Sequence, residues 1–203
     1  MEDARSFAIA AHAGQLYGGK PYETHLAAVV QVLDDFGFGE EYCQAAWLHD
    51  VVEDTPIELA EIRSLFGDAV AAMVDAVSGI GPTREVRNAR IYGGLKACPA
   101  AAAVKLADRI ANVEAAPAGS EHRARYRREA DEFEAVVRPC VPPAMWSRLE
   151  RALACPPTEP IVADRGPLSS SVGPGFLVGL CNCRQSAVRR LPLRRAAGAA
   201  ALP

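Results

Sequence analysis

The run His49-Asp50-Val51-Val52-Glu53-Asp54 places an imidazole and three carboxylates within six residues. Residues 49 and 53, or 50 and 54, share a face wherever the segment is helical. The run closes an apolar helix, where carboxylates oppose the macrodipole and cost stability. A bound cation reverses that cost. His25, in Pro21-Tyr22-Glu23-Thr24-His25, stands at the start of another helix. Asp108 falls among apolar neighbours in Val104-Lys105-Leu106-Ala107-Asp108-Arg109-Ile110-Ala111-Asn112. A buried carboxylate needs a partner or a metal. His25, His49, Asp50 and Asp108 together supply two nitrogens and at least two oxygens. That mixed set suits manganese, iron or another divalent ion better than a closed cysteine zinc site. Taken singly, each has a plainer reading. A lone His25 is more often a core or cap residue, and a lone Asp108 beside Lys105 and Arg109 is usually a helix-surface ion pair. The combination in one chain points to a metal centre.

The elements that must position these residues read as helices. Residues 4–13 carry Phe7, Ala8, Ala10 and Ala11. Residues 24–36 place Leu26, Val29, Val30, Leu33 and Phe36 at helical spacing, with Gly37 as the stop. Residues 40–51 hold Cys43, Ala46, Trp47 and Leu48. Thr55-Pro56-Ile57-Glu58 has the form of a helix start, with a Thr cap, Pro in the first turn and Glu in the capping-box position. That helix runs to Gly67, and the next covers about 69–78. Further helices fit 84–96, 101–114, 120–137 and 143–153. No alternating stretch is long enough for a strand, so the expected fold class is all-α.

Composition sets the outer bounds. The 203 residues are 50% hydrophobic and only 6% aromatic, which with abundant alanine favours close-packed helices. A net charge of −3 offers no strong basic field for nucleic acid. No apolar run approaches the roughly 20 residues of a membrane span, and the first residues do not read as a signal peptide. The six cysteines match neither a disulfide framework nor a zinc ribbon. A cytoplasmic protein with reduced thiols, no nucleic-acid partner and no membrane partner is expected. The chain changes character near residue 155. Residues 1–155 hold 16 basic and 23 acidic side chains, against 6 and 2 in residues 156–203. The latter stretch is rich in Pro, Gly, Ser and Ala without an amphipathic period, and is expected to be a disordered basic tail.

These residues resemble the HD-domain metal-dependent phosphohydrolases, in particular the small stand-alone relatives of the Rel/SpoT-type guanosine polyphosphate hydrolases. The resemblance rests on Ala11-His12-Ala13-Gly14-Gln15, Pro21-Tyr22-Glu23-Thr24-His25, Ala45-Ala46-Trp47-Leu48-His49-Asp50-Val51-Val52-Glu53-Asp54-Thr55, Phe66-Gly67 and Val104–Asn112, in that order. It covers residues 4–153 and implies an HD-domain helical bundle over 1–155. It implies His25, His49, Asp50 and Asp108 as ligands of one divalent ion, usually manganese. Glu53 and Asp54 would position or deprotonate the attacking water, and Asn112 would line the nucleotide pocket. The substrate implied is a small phosphorylated nucleotide.

Two positions depart from that pattern. Alarmone hydrolases of this branch carry an Arg-Lys pair shortly after the Gln; here the loop is Leu16-Tyr17-Gly18-Gly19-Lys20. Tyr17 could stack on a base, and Lys20 is the cation that remains. Three residues after Asn112 the family often has a hydroxyl, and here Ala115 stands. Losing one charge-assisted contact costs roughly 1.5–3 kcal/mol, enough to change substrate preference. The metal site is complete and the nucleotide-reading site is altered. Guanosine tetra- or pentaphosphate is therefore one candidate, another nucleotide such as NADPH or a nucleoside phosphate a second, and a catalytically silent nucleotide-binding regulator a third. Lys105 and Arg109 flank Asp108 and could face a phosphate, as could the arginines of residues 84–90. A solvated helix face is the commoner role for such charges.

Overall fold

The computed structural model describes residues 3–154; the expected tail, 156–203, lies outside the described residues. The described part is a helical bundle. In chain order it consists of α1 (Ala4–Ala11), a two-strand hairpin of β1 (Leu16–Tyr17) and β2 (Lys20–Pro21), α2 (Glu23–Asp35), α3 (Glu40–Leu48) and α4 (Val51–Asp54). Then follow α5 (Leu59–Phe66), α6 (Asp68–Val77), α7 (Arg84–Ala97), α8 (Ala101–Ala115), α9 (Glu121–Arg128), α10 (Ala130–Val137), a 3₁₀ turn (Arg138–Cys140) and α11 (Pro143–Ala154). Local chemistry sets several boundaries. The Asp3 carboxylate accepts from the N–H groups of Arg5 and Ser6 to start α1, and Thr83 and Ser120 cap α7 and α9 in the same way. Gly67, at φ 89°, joins α5 to α6 through backbone that other residues rarely adopt.

α8 is the axis of the bundle. It packs against α2, α3, α6 and α11. Between Ala101 and Val113 every residue except Lys105 is buried. Its small residues let neighbours approach closely, and Leu26, Leu33, Leu48, Leu106, Ile110, Phe133 and Met145 fill the core. The α6–α7 crossing is closer still, because a Cβ at Gly94 would lie 2.6 Å from the Ala76 carbonyl oxygen. Arg148 on α11 ties two helices together, donating to Asp35 of α2 (2.7 Å) and to both carboxylate oxygens of Glu114 of α8 (2.8 and 2.9 Å). Arg123 and Arg127 of α9 donate to the carbonyls of Ala152 and Leu153. They satisfy acceptors that the end of α11 would otherwise leave orphaned.

The all-α expectation holds, with four local corrections. Residues 40–51 do not form one helix: α3 ends at Leu48, His49 and Asp50 form the link, and α4 begins at Val51. Thr55 does not start α5. It ends α4, with its hydroxyl donating to the Val51 carbonyl (2.7 Å) and accepting from the Ile57 N–H (3.2 Å), and Glu58 stands at the cap of α5. Residues 120–137 break at Glu129 into α9 and α10. The hairpin at 16–21 was not foreseen. Gly18 and Gly19 both take positive φ (57° and 80°), the two-residue turn that brings β1 and β2 into register. Among the described residues Cys43, Cys98 and Cys140 are unbridged, and no helix is long and apolar enough to cross a membrane.

Candidate active site

Three helical segments converge on one buried point. α2 presents His25 from its first turn, the α3–α4 link presents His49 and Asp50, and α8 presents Asp108. One donor atom each from His25, His49 and Asp108 lies within 4.8 Å of the others. The Asp50 carboxylate joins them, 3.1 Å from His49 Nε2 and 3.6 Å from His25 Nε2. His25 Nε2 is 3.5 Å and His49 Nε2 3.8 Å from Asp108 Oδ1. His49 and Asp50 lie in the short link between α3 and α4. Both residues keep right-handed backbone angles, with ψ at −7° for Asp50, and the helical hydrogen bonding lapses over this link.

His49 shows what this cluster is built to hold. Its Nδ1 lies 2.7 Å from the Ala46 carbonyl, which can only accept, so Nδ1 carries the proton. Nε2 is buried and faces Asp50 Oδ2 at 3.1 Å and Asp108 Oδ1 at 3.8 Å, and these carboxylates raise the ring's pKa against its burial. A ring nitrogen among buried carboxylate oxygens calls for positive charge there, supplied by a proton on the ring or, once that proton leaves, by a bound cation. An imidazole anchored through Nδ1 to a backbone carbonyl is the arrangement that orients a metal-binding histidine. The donor set fits a divalent cation.

The surrounding groups lock the ligand set in place. Lys105 Nζ is 2.9 Å from Asp108 Oδ2, and Asn112 Nδ2 donates to Asp108 Oδ1 (2.6 Å). The Tyr22 hydroxyl lies 2.8 Å from Asp50 and 2.6 Å from Asp54. Tyr17 stacks on His25 with centroids 4.3 Å apart, and its hydroxyl donates to Asn112. His12 stacks flat on Tyr22 and bonds Gln15, whose amide donates to the Asp54 carbonyl; it supports the site and stands outside the ligand cluster. Burial alone would raise the Asp108 and Asp50 carboxyls, but Lys105 with the charged imidazoles at Asp108, and the charged imidazoles at Asp50, outweigh it and hold both below the ordinary carboxylate range. Burial opposes charge on His25 too, yet Asp108 and Asp50 push it up to about 9.

Two cavities flank the cluster. The smaller, about 160 Å³, is lined by Asp50, Glu53 and Asp108 with Arg84, Lys105 and Arg109 among its cations. Glu53 projects into it from α4, one oxygen accepting from the Gly79 N–H. The cavity walls desolvate the Glu53 carboxyl and raise it above its ordinary value, against the pull of Gly79 and Lys105. The larger, about 360 Å³, opens on the hairpin side and is lined by Tyr17, Lys20, Asn112, Ala115 and His122 among others. Lys20 is exposed at its rim, apart from the acidic cluster. Tyr17 keeps one face on His25, so only the other is available to a base.

Sequence reading missed some of these neighbours. Tyr22 carried no separate signal beyond its place three residues before His25. Arg109 reads as a surface charge, but it is only 5% exposed, with its guanidinium 3.5 Å over the Phe133 ring.

The HD domain family matches residues 4–133 of this chain. The chain belongs to the HD-domain family. Among HD-domain relatives, a probable guanosine-3′,5′-bis(diphosphate) 3′-pyrophosphohydrolase of Synechocystis is 34% identical over 128 residues, 59% of this chain and 17% of that protein. The bifunctional (p)ppGpp synthase/hydrolase SpoT of Escherichia coli is 45% identical over 69 residues, 34% of this chain and 10% of that protein. The chain thus matches a small part of the length of these curated relatives. A solved structure of a metazoan SpoT ortholog, described as hydrolysing ppGpp, superposes with a TM-score of 0.64 at 26% identity. That match covers 73% of this chain and 90% of the other.

Proposed function

We propose that this chain is a manganese-dependent phosphohydrolase that removes pyrophosphate from the 3′ position of guanosine tetra- or pentaphosphate. The observation that carries the reading is the convergence of His25, His49, Asp50 and Asp108 on one buried point, with His49 Nε2 facing the carboxylates. These four residues would hold the ion, which when bound lowers the pKa of water and polarises a phosphoryl oxygen. Glu53 and Asp54 orient the attacking water and accept its proton. Glu53 has one oxygen fixed by Gly79, which leaves the other for the water. The Tyr22 hydroxyl holds Asp54 against Asp50. Lys105 compensates Asp108 and faces the phosphoryl oxygens. Tyr17, Asn112 and Lys20 take the nucleoside in the larger cavity, whose size suits a base and sugar. Residues 1–155 carry this function and 156–203 are a basic extension without a part in it. A cytoplasmic setting fits a nucleotide substrate and unbridged cysteines; neither nucleic acid nor membrane is a partner.

A second reading has its own observation. The hairpin, Leu16-Tyr17-Gly18-Gly19-Lys20, is a shortened loop without the basic pair that alarmone hydrolases carry after the Gln, and Ala115 lines the larger cavity without a hydroxyl. Both changes relax selection for guanosine and favour another phosphorylated nucleotide, such as NADPH or a nucleoside phosphate. The test is a turnover screen of the purified protein with manganese against alarmones, NADPH, and nucleoside tri- and monophosphates. Pyrophosphate release from guanosine tetraphosphate is expected. Turnover of a different nucleotide alone selects the second reading. Tight binding of a nucleotide without any turnover would make the chain a regulator.

A further inference from the structure

Arg84, Glu129 and Arg109 form an ion network at the wall of the smaller cavity. Arg84 leaves the first turn of α7 and grips Glu129 side-on: Nε meets Oε1 and Nη2 meets Oε2 at 2.8 Å. That leaves Nη1 without a partner among the described residues, on a side chain that lines the cavity. Arg109 Nη2 reaches the same carboxylate at 3.5 Å. The Arg109 guanidinium lies 3.5 Å over Phe133 and 4.9 Å from the Tyr126 ring centroid, so it is a fixed positive wall. Glu129 itself is anchored, because it forms the break between α9 and α10 and its N–H donates to the Arg125 carbonyl. Glu129 is half-buried, with a side chain 18% exposed, which a partner of a freely solvated arginine would not be.

The charge balance of the cavity follows. Arg84, Arg87, Lys105 and Arg109 line it against Asp50, Glu53 and Asp108. Counting Glu129 behind Arg84 and Arg109, these charges balance, so a divalent ion on Asp50 and Asp108 leaves the cavity with excess positive charge. It is also too small for a nucleoside beside the phosphates, while the larger cavity lies across the Asp108–Asn112 hydrogen bond. Guanidinium groups fixed in orientation match phosphate oxygens better than free ammonium groups.

We infer that the smaller cavity is the seat of a pyrophosphate group, with Arg84 as a direct contact and Glu129 as the positioning residue that aims it. The inference rests on the phosphohydrolase reading for its place in the reaction, since the seated group would be the one that leaves. As a binding site it stands on its own geometry.

The experiment measures binding of inorganic pyrophosphate to the full-length protein in magnesium buffer by calorimetry, with melting temperature recorded for each variant. Arg84→Ala is expected to weaken binding about tenfold or more, the loss of one charge-assisted hydrogen bond. Arg90→Ala removes the same charge from the same helix, where Arg90 pairs with Asp75 away from the cavity, and is expected to leave affinity within about twofold. Glu129→Gln decides the positioning role by sign. Removing a negative charge tightens anion binding by electrostatics alone, whereas losing the grip on Arg84 weakens it. Weaker binding at an unchanged melting temperature is expected, and Glu129→Asp should recover part of it. Unchanged or tighter binding in Glu129→Gln overturns the positioning role. Equal losses in Arg84→Ala and Arg90→Ala, or no binding by the wild type, overturn the seat. None of these readouts needs turnover, so a protein that binds pyrophosphate but hydrolyses no nucleotide refutes the phosphohydrolase reading and leaves the seat standing.

Discussion

The two sides of the acidic cluster are built differently. On one side, His25 and Asp108 are buried on helices that also form the core and His49 is buried in the link between two of them, and two of the three are held by second groups: Ala46 behind His49, Lys105 and Asn112 behind Asp108. On the other, the hairpin that would read the nucleoside is two residues per strand, turns on two glycines, and leaves Leu16 66% exposed. The first region resists substitution because fold and chemistry share the same helices. The second can change its contacts without disturbing the core. Damage to the converged side should therefore abolish function, and damage to the hairpin should only tune it.

The largest effect should come from Glu53→Gln. It keeps size and the Gly79 contact but removes the proton acceptor, so turnover should fall about 10²–10⁴-fold with nucleotide affinity little changed. Paired kinetics and binding on one preparation check this, and equal losses in both would mean that Glu53 binds rather than catalyses. Next, His49→Ala or Asp108→Ala should lose stoichiometric metal by elemental analysis. In the wild type, chelation should lower the melting temperature, because the ion binds only the folded form.

Gly94→Ala tests the helix spacing that sets the α7 wall. Alanine gains up to about 1 kcal/mol of helix propensity. The clash with the Ala76 backbone should cost about 1–3 kcal/mol, so a net fall in thermal stability is expected. Tyr17→Phe, on the hairpin side, loses one hydrogen bond to Asn112 but keeps the stack on His25. A change in KM of a few-fold, the scale of about 0.5–1.5 kcal/mol, is expected with kcat nearly unchanged. A collapse of kcat would erase the distinction between the two sides. The smallest effect belongs to truncation after Cys155, which should leave metal binding and melting temperature as they are.

The helical periods of α2 and α8 were readable because their apolar faces repeat every turn, and His25 and Asp108 sit where those faces predict. The bend at His49–Asp50 was not readable. The apolar pattern runs through it, and no Gly or Pro marks the end of α3. The Glu129 break was hidden for a similar reason, in a stretch where Tyr126 and Phe133 keep helical spacing across it. Thr55-Pro56 carried a cap signal that the structure uses on the opposite end, because a Thr hydroxyl can close one helix as readily as it opens another. The Gly18-Gly19 turn was a legible hairpin signal overshadowed by the absence of longer strands. Arg84 and Arg109 could not be told from solvated charges, since their partner Glu129 lies 45 and 20 residues away.

The burial of α8 has a consequence in time as well as space. A helix enclosed on nearly every face opens only with the whole domain, so its amide hydrogens should be the last to exchange with deuterium. Lys105, Asp108, Arg109 and Asn112 all ride on that slow element, while Tyr17 and Lys20 ride on one that can open locally. The amides of the hairpin, paired over only two residues per strand, should by contrast exchange early, so the two sides of the site should differ most in exchange rate.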